Sequence, residues 1–191
     1  NLGFSHEAKA IKALKEVFPD LIEIDQDLTF AEIEMETAKA LLDPKAHMIA
    51  GGYIAENAEK ELASAFGIPF KPTDRSSRPD LIVRIGNRAD GRPIWAPVDI
   101  KSHKAVTDSK SNYVFSSPIA SILPAQDAKE QGRLDYNDLH QLAHYTRHFQ
   151  ALGIDGDDLW VGIIGRDFEN CVWARIGDVV MGQGQAQESF L

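Results

Sequence analysis

The stretch from Arg78 to Lys101 constrains the fold more than any other. It begins Arg78-Pro79-Asp80-Leu81-Ile82-Val83-Arg84-Ile85, passes through Gly86-Asn87-Arg88-Ala89-Asp90-Gly91, and returns as Ile94-Trp95-Ala96-Pro97-Val98-Asp99-Ile100-Lys101. Two β-type runs around a connection rich in Asn, Asp and Gly predict a hairpin with a longer loop. Alternate side chains of a strand share a face. Asp99 and Lys101 therefore point one way, and Val98 and Ile100 the other. Asp80 opens the first strand, behind a proline that fixes its approach. Charges within apolar strands need a partner or a metal. Two carboxylates and an ammonium at one end of adjacent strands predict a divalent-metal site with a lysine beside it. The alternative is a solvated face carrying opposite charges two residues apart. Asp99 follows Ala96-Pro97-Val98, which is a poor setting for a merely exposed charge.

A chain of 191 residues is long enough for one domain with its own core. That domain is expected over residues 1–181, with 182–191, whose Gly182–Gln187 stretch offers no core residues, as a tail. No apolar run reaches the length of a membrane span and no signal-peptide pattern is present, so the expected setting is cytoplasmic, with no membrane partner. The single cysteine, Cys171, excludes an internal disulfide and any four-cysteine zinc or iron–sulfur site within this chain. A formal net charge of −9 is unusual for a nucleic-acid binder, but its distribution matters more than its sum. Residues 71–110 carry 9 basic and 5 acidic side chains, against 6 and 13 in residues 1–70 and 5 and 11 in residues 111–191. Positive charge thus collects around the hairpin. That suits a phosphate-bearing substrate approaching one face, and equally a solvated loop face.

The rest of the chain alternates helical and strand patterns, which predicts the α/β class. Phe4, Ala8, Ile11, Leu14 and Val17 or Phe18 recur at helical spacing over 3–17, and Pro19 stops the run. Leu21 to Ile24 is a short strand. Thr29 caps a second helix with Glu32 in a capping box, and Pro44 closes it. Met48 to Ile54 reads as a strand whose glycines permit close approach or a bulge. A third helix spans about 55 to 66, stopped by Gly67 and Pro69, and Lys71 to Arg78 is a polar loop. Ser102 to Arg133, rich in Ser, Lys, Asp and Pro, is expected to be an irregular loop, functional or mobile. Asn137 or Asp135 caps a helix from Asp138 to Leu152, with Gly153 as its C′ residue. Buried strands follow at Leu159–Ile164 and Cys171–Ile176.

The helix 138–152 has distinct faces. Leu139, Leu142, Ala143, Thr146 and Phe149 form a core stripe, while Gln141, Tyr145 and His148 form a polar row. His140, His144 and Arg147 form a third row. His140-Gln141-Leu142-Ala143-His144 is one residue from the zinc-protease pattern His-Glu-x-x-His. An amide at Gln141 cannot act as general base, which argues against that chemistry and leaves the histidines to contact DNA or an incidental metal.

Together these pieces resemble the PD-(D/E)XK nuclease superfamily, in particular its RecB-like exonuclease branch. Gly3-Phe4-Ser5-His6-Glu7 resembles the branch's first motif, a helical Gly-x-x-His with a nearby acid. Pro79-Asp80 resembles the second motif, Asp99-Ile100-Lys101 the third, and Gln141-Leu142-Ala143-His144-Tyr145 the Gln-x-x-x-Tyr signature. The likeness covers about residues 1–165. It implies a restriction-endonuclease-like core, a central mixed β-sheet flanked by helices. It also implies catalytic roles for Asp80, Asp99 and Lys101, and a Mg²⁺ or Mn²⁺ held by His6, Asp80, Asp99 and the Ile100 carbonyl. Lys101 would orient or activate the attacking water, and Gln141 and Tyr145 would contact DNA or brace the site. The implied function is DNA hydrolysis in repair, recombination or defence, with a helicase or a larger complex as a further partner.

Phosphodiester hydrolysis needs a nucleophilic water, a Lewis acid and stabilisation of charge on the phosphorane. Carboxylates suit a hard divalent ion, and an imidazole shifts the preference toward Mn²⁺. Glu7, one residue from His6, is expected to face elsewhere. Glu56, on the third helix, is an alternative acid for the first motif, and His148 a further candidate. Lys104, Lys110 and Arg133 in the long insert are expected to line a strand channel. Two other readings stay open. One is a catalytically silent nuclease fold that binds DNA or protein, and the other a site-specific restriction or transposon-type endonuclease.

Overall fold

Local chemistry decides the helices. A computed structural model describes residues 2–124 and 129–176. Helix α1 (Leu2–Val17) buries Ala10, Ile11 and Leu14 on one side, as their helical spacing requires. After β1 (Ile22–Glu23), helix α2 (Phe30–Leu42) starts at a complete capping box. The Glu32 N–H donates to Thr29 Oγ1 at 3.2 Å, and the Thr29 N–H donates to Glu32 Oε2 at 2.8 Å. Strand β2 (Met48–Ala50) ends at Gly51, whose φ of +73° admits glycine and whose missing Cβ leaves room for the Gln26 side chain. Helix α3 (Glu56–Phe66) has no side-chain cap of its own. Glu34 of α2 supplies one, accepting from the N–H groups of Asn57 and Ala58 at 3.0 and 3.3 Å.

Strands β3 (Leu81–Asn87) and β4 (Pro93–Ile100) form the hairpin that the sequence predicts, with a register shift between Arg84 and Gly86. The segment expected to be an irregular loop is instead largely strand, β5 (Val106–Pro118) and β6 (Lys129–Leu134), paired antiparallel. Pairing outweighs polar composition here. Phe115 stands opposite Trp173, and Val114 and Phe115 are both buried. The Lys110 and Arg133 side chains and the whole of 182–191 lie outside the described residues. Helix α4 (Tyr136–Ala151) is capped by Asp135, which accepts from the Asn137 N–H at 2.9 Å, and the chain leaves it through Gly153 at φ +72°. Strands β7 (Trp160–Ile164) and β8 (Asn170–Arg175) complete the described chain. Among the described residues no helix is long and apolar enough to cross a membrane.

The strands form one mixed sheet in the order β1-β2-β3-β4-β7-β8-β5-β6. β2, β3 and β4 run as an antiparallel meander, whereas β7, reached through α4, lies parallel to β4. Helix α1 packs on one face against Leu81, Val83, Val98 and Ile100. On the other face, Ile82 and Trp95 sit with α2 and α3, and Val161 and Ile163 sit under α4. The protein is therefore α/β, a mixed sheet between helices. The period of two in β4 turns Val98 and Ile100 toward α1 and Asp99 toward α4.

Candidate active site

Asp80 lies just before β3, and Asp99 is the penultimate residue of its antiparallel neighbour β4. Antiparallel pairing brings the start of one strand beside the end of the other, so residues 19 apart in the chain meet. The Asp80 N–H donates to Asp99 Oδ1 at 3.3 Å, and the Ile100 N–H donates to Asp80 Oδ2 at 2.7 Å. Backbone thus fixes one oxygen of each carboxylate. Asp99 is only 3% exposed, which removes the solvated-face alternative.

Lys101 stands directly after β4, with Nζ 3.5 Å from Asp99 Oδ2 and 3.7 Å from Asp138 Oδ1, and donates to Gln141 Oε1 at 3.3 Å. From Gln141 the bonds continue along α4. Its Nε2 donates to the Tyr145 hydroxyl at 3.1 Å, which donates to the Arg78 carbonyl at 3.4 Å. One face of α4 therefore clamps both the lysine and the backbone leading into Asp80.

Electrostatics at this cluster are unfavourable to the two acids. Burial pushes Asp80 up to about 7, and the neighbouring Asp99 carboxylate adds to the shift, with a smaller contribution from Glu7. Burial likewise raises Asp99, against the opposing pull of Lys101. Desolvation would lower Lys101, but Asp99, Asp138 and Asp80 together hold its ammonium above the ordinary value. Burial pushes Tyr145 up to about 12, so it stays a neutral donor. Two carboxylates that repel each other behind a partly buried ammonium form a site that a cation would relieve.

The other sequence-predicted residues are placed as follows. Glu7, expected to face elsewhere, is near enough for its charge to raise Asp80. The adjacent His6 has a buried Nε2 with no hydrogen-bond partner among the described residues. Glu56 is a correction. It sits in the exposed first turn of α3, paired to Lys60 at 3.1 Å, and does not join the aspartates. His148 is a second correction. It is fully buried, with Nδ1 2.7 Å from Ser77 Oγ and Nε2 2.7 Å from Glu59 Oε2.

The Ser77–His148–Glu59 line has the order of a nucleophilic triad. All three side chains are nevertheless buried, at 1%, 0% and 2% exposure, so no substrate reaches the serine. Glu59 also accepts from the Thr73 hydroxyl and, at 3.2 Å, from the Thr73 N–H. The network joins α3, α4 and the loop that delivers Asp80. It is a clamp.

His140 and His144 remain on the exposed face of α4, as the zinc-protease comparison allowed. His140 stacks on Tyr136, and the His144 ring contacts the Ser76 carbonyl at 3.2 Å. Lys104 is exposed.

The site also contains residues that sequence reasoning missed. Asp138, in the first turn of α4, is buried and faces Lys101 and, at 3.2 Å, His103 Nε2. His103 is oriented by its Nδ1–H, which donates to the Lys104 carbonyl at 2.8 Å. The signal for Asp138 was its position three residues before Gln141, on the same helical face. Among the described residues, no group of three or more His, Cys, Asp or Glu side chains is arranged to hold a metal. The chain matches no family model, no curated protein and no solved structure.

Proposed function

We propose that this chain is a metal-dependent deoxyribonuclease of the RecB-like kind, built on a restriction-endonuclease-like core. The observation that carries the reading is the convergence of Asp80, Asp99 and Lys101. The three occupy two paired strand ends, with Gln141 and Tyr145 reaching in from the next helix. The meander followed by a helix and a parallel strand supports the core assignment. The order of motif pieces along α1, β3, β4 and α4 supports the branch.

The donor set fits a hard divalent ion. Two mutually repelling carboxylates present oxygen ligands, and Mg²⁺ commonly keeps several waters, so two protein carboxylates suffice for it. Asp80, Asp99 and the Ile100 carbonyl would hold the ion, whereas His6, the added ligand that would favour Mn²⁺, is not grouped with the aspartates among the described residues. Bound there, Mg²⁺ or Mn²⁺ would polarise the phosphate and lower the pKa of a water.

The chain's own residues do the rest. Lys101, kept protonated by the acids around it, offsets negative charge building on the phosphorane. Gln141 holds the Lys101 Nζ in position, and Asp138 keeps its charge balanced. Tyr145 stays protonated and ties α4 to the Arg78 backbone, so a shift of either element would misplace Asp80.

The test is degradation of labelled single- and double-stranded DNA with and without Mn²⁺, beside Asp99→Ala and Lys101→Ala. Losing the Lys101 charge is expected to lower the rate about 10²–10³-fold, as for other preorganised stabilisers of transition-state charge. Metal-dependent cleavage that persists unchanged in both variants rejects the site.

One observation favours a second reading, a catalytically silent nuclease fold that binds DNA or protein. Among the described residues no third acid or imidazole is placed to share a metal ion with the aspartates. Calorimetric titration with Mn²⁺ separates the two, because a silent site shows no binding that depends on Asp80 and Asp99.

A further inference from the structure

We propose that the exposed ring of Phe30, in contact with Arg78 and Tyr53, is a stacking platform for an unpaired base of single-stranded DNA. The inference rests on the nuclease reading and names the form of DNA that the site takes.

Phe30 is the first residue of α2 and is 62% exposed, the highest value among the described large apolar side chains. A ring so placed contributes little to the core. It is not loose, however. Its centroid lies 5.5 Å from that of Tyr53, at an interplanar angle of 57°, and the Arg78 guanidinium sits 5.8 Å from it.

A chain of hydrogen bonds ties this platform to the candidate site. Arg78 Nη2 donates to Gln26 Oε1 at 2.9 Å, and Gln26 Nε2 donates to the Gly51 carbonyl at 2.9 Å. The Gly51 N–H in turn donates to the Asp80 carbonyl at 3.2 Å. From the other side, the Arg78 carbonyl accepts from Tyr145. Arg78 is two residues before Asp80, so the guanidinium that touches the ring is carried by the same backbone that positions the first carboxylate.

This combination matches one ligand chemistry. Exposed aromatic rings bind the open π-faces of unpaired bases, and an adjacent arginine adds cation–π and phosphate attraction. Bases inside a duplex have their faces covered by neighbours, so a lone ring has little to hold there. A protein partner would seek a contiguous apolar patch. Phe30 instead stands beside Thr29 and Arg78, both exposed and polar.

The test measures binding of labelled oligo(dT) and of a blunt duplex by fluorescence anisotropy, with Ca²⁺ replacing the catalytic ion. Phe30→Ala is expected to weaken oligo(dT) binding about 5- to 150-fold, the range for losing one stacked base, and to leave the duplex unaffected. Phe30→Tyr keeps a π-face and is expected to retain binding. Phe30→Trp supplies a direct readout. Trp95, Trp160 and Trp173 are buried at 0%, 4% and 0% exposure, so quenching by oligo(dT) reports a base on the new indole. Unchanged oligo(dT) affinity in Phe30→Ala, equal weakening toward both DNAs, or an unquenched indole overturns the platform and leaves the nuclease reading standing. Wild-type protein that binds neither DNA overturns both.

Discussion

Replacing Asp80 by asparagine separates the cost of the candidate site from its use. In the folded protein without metal, Asp80 is pushed up from 3.8 to about 7, by burial first and by Asp99 second. In an unfolded chain the same group ionises near 3.9. Between about pH 4 and pH 7 the folded state therefore keeps a proton that the unfolded state has released. Stability falls as pH rises through that window, and the full penalty is present above about pH 7. About three pKa units at 1.36 kcal/mol each correspond to about 4 kcal/mol. Asparagine retains an oxygen for the Ile100 N–H, which now donates at 2.7 Å, but carries no charge. It also loses the attraction to Lys101 and must place a new N–H₂ group, so the expected gain at pH 8 is about 2–4 kcal/mol. For a domain of this size that raises Tm by about 4–16 °C. Urea and thermal unfolding in EDTA at pH 8 and pH 4 measure it. The gain should shrink toward zero at pH 4, where wild-type Asp80 is protonated in the folded state and about half protonated in the unfolded one. A difference that is the same at both pH values, or a variant less stable at pH 8, refutes the reasoning.

Metal binding should show the same proton. Calorimetric Mn²⁺ affinity is expected to fall about tenfold per unit as pH drops below about 7, because Asp80 must lose a proton to bind. An affinity that is flat between pH 5.5 and 7 would exclude Asp80 as a ligand. His148→Ala leaves Glu59 buried without its 2.7 Å partner and removes a ring that is fully enclosed. It is expected to cost about 3–5 kcal/mol in urea denaturation, from the cavity left by the ring and the buried carboxylate left without its partner. A loss under about 1 kcal/mol would show that the clamp does not hold α3, α4 and the Asp80 loop together.

Legibility in the sequence followed the range of the forces involved. Glycine and capping effects act within a few residues, so the Thr29–Glu32 box, Gly67 and Gly153 marked helix ends directly. The hairpin was legible because its two apolar runs flank a loop of turn residues. The segment 102–133 was not, because strand pairing with β8 is a long-range interaction that leaves no local composition signal. Glu56 was misjudged for a similar reason. Its helix is capped from α2 by Glu34, and its orientation depends on that packing.

Sequence alone determined the α/β alternation, the helix ends and the strand parity that sets Asp99 and Lys101 on one face. Period and capping are properties of the chain itself. Only the tertiary structure decided which distant groups meet. The sheet brought Asp80 onto Asp99, and α4 carried Asp138 and Gln141 onto Lys101. The same packing enclosed His148 with Glu59 and Ser77. Such meetings depend on how the layers close over one another, and burial then sets the charge on each group.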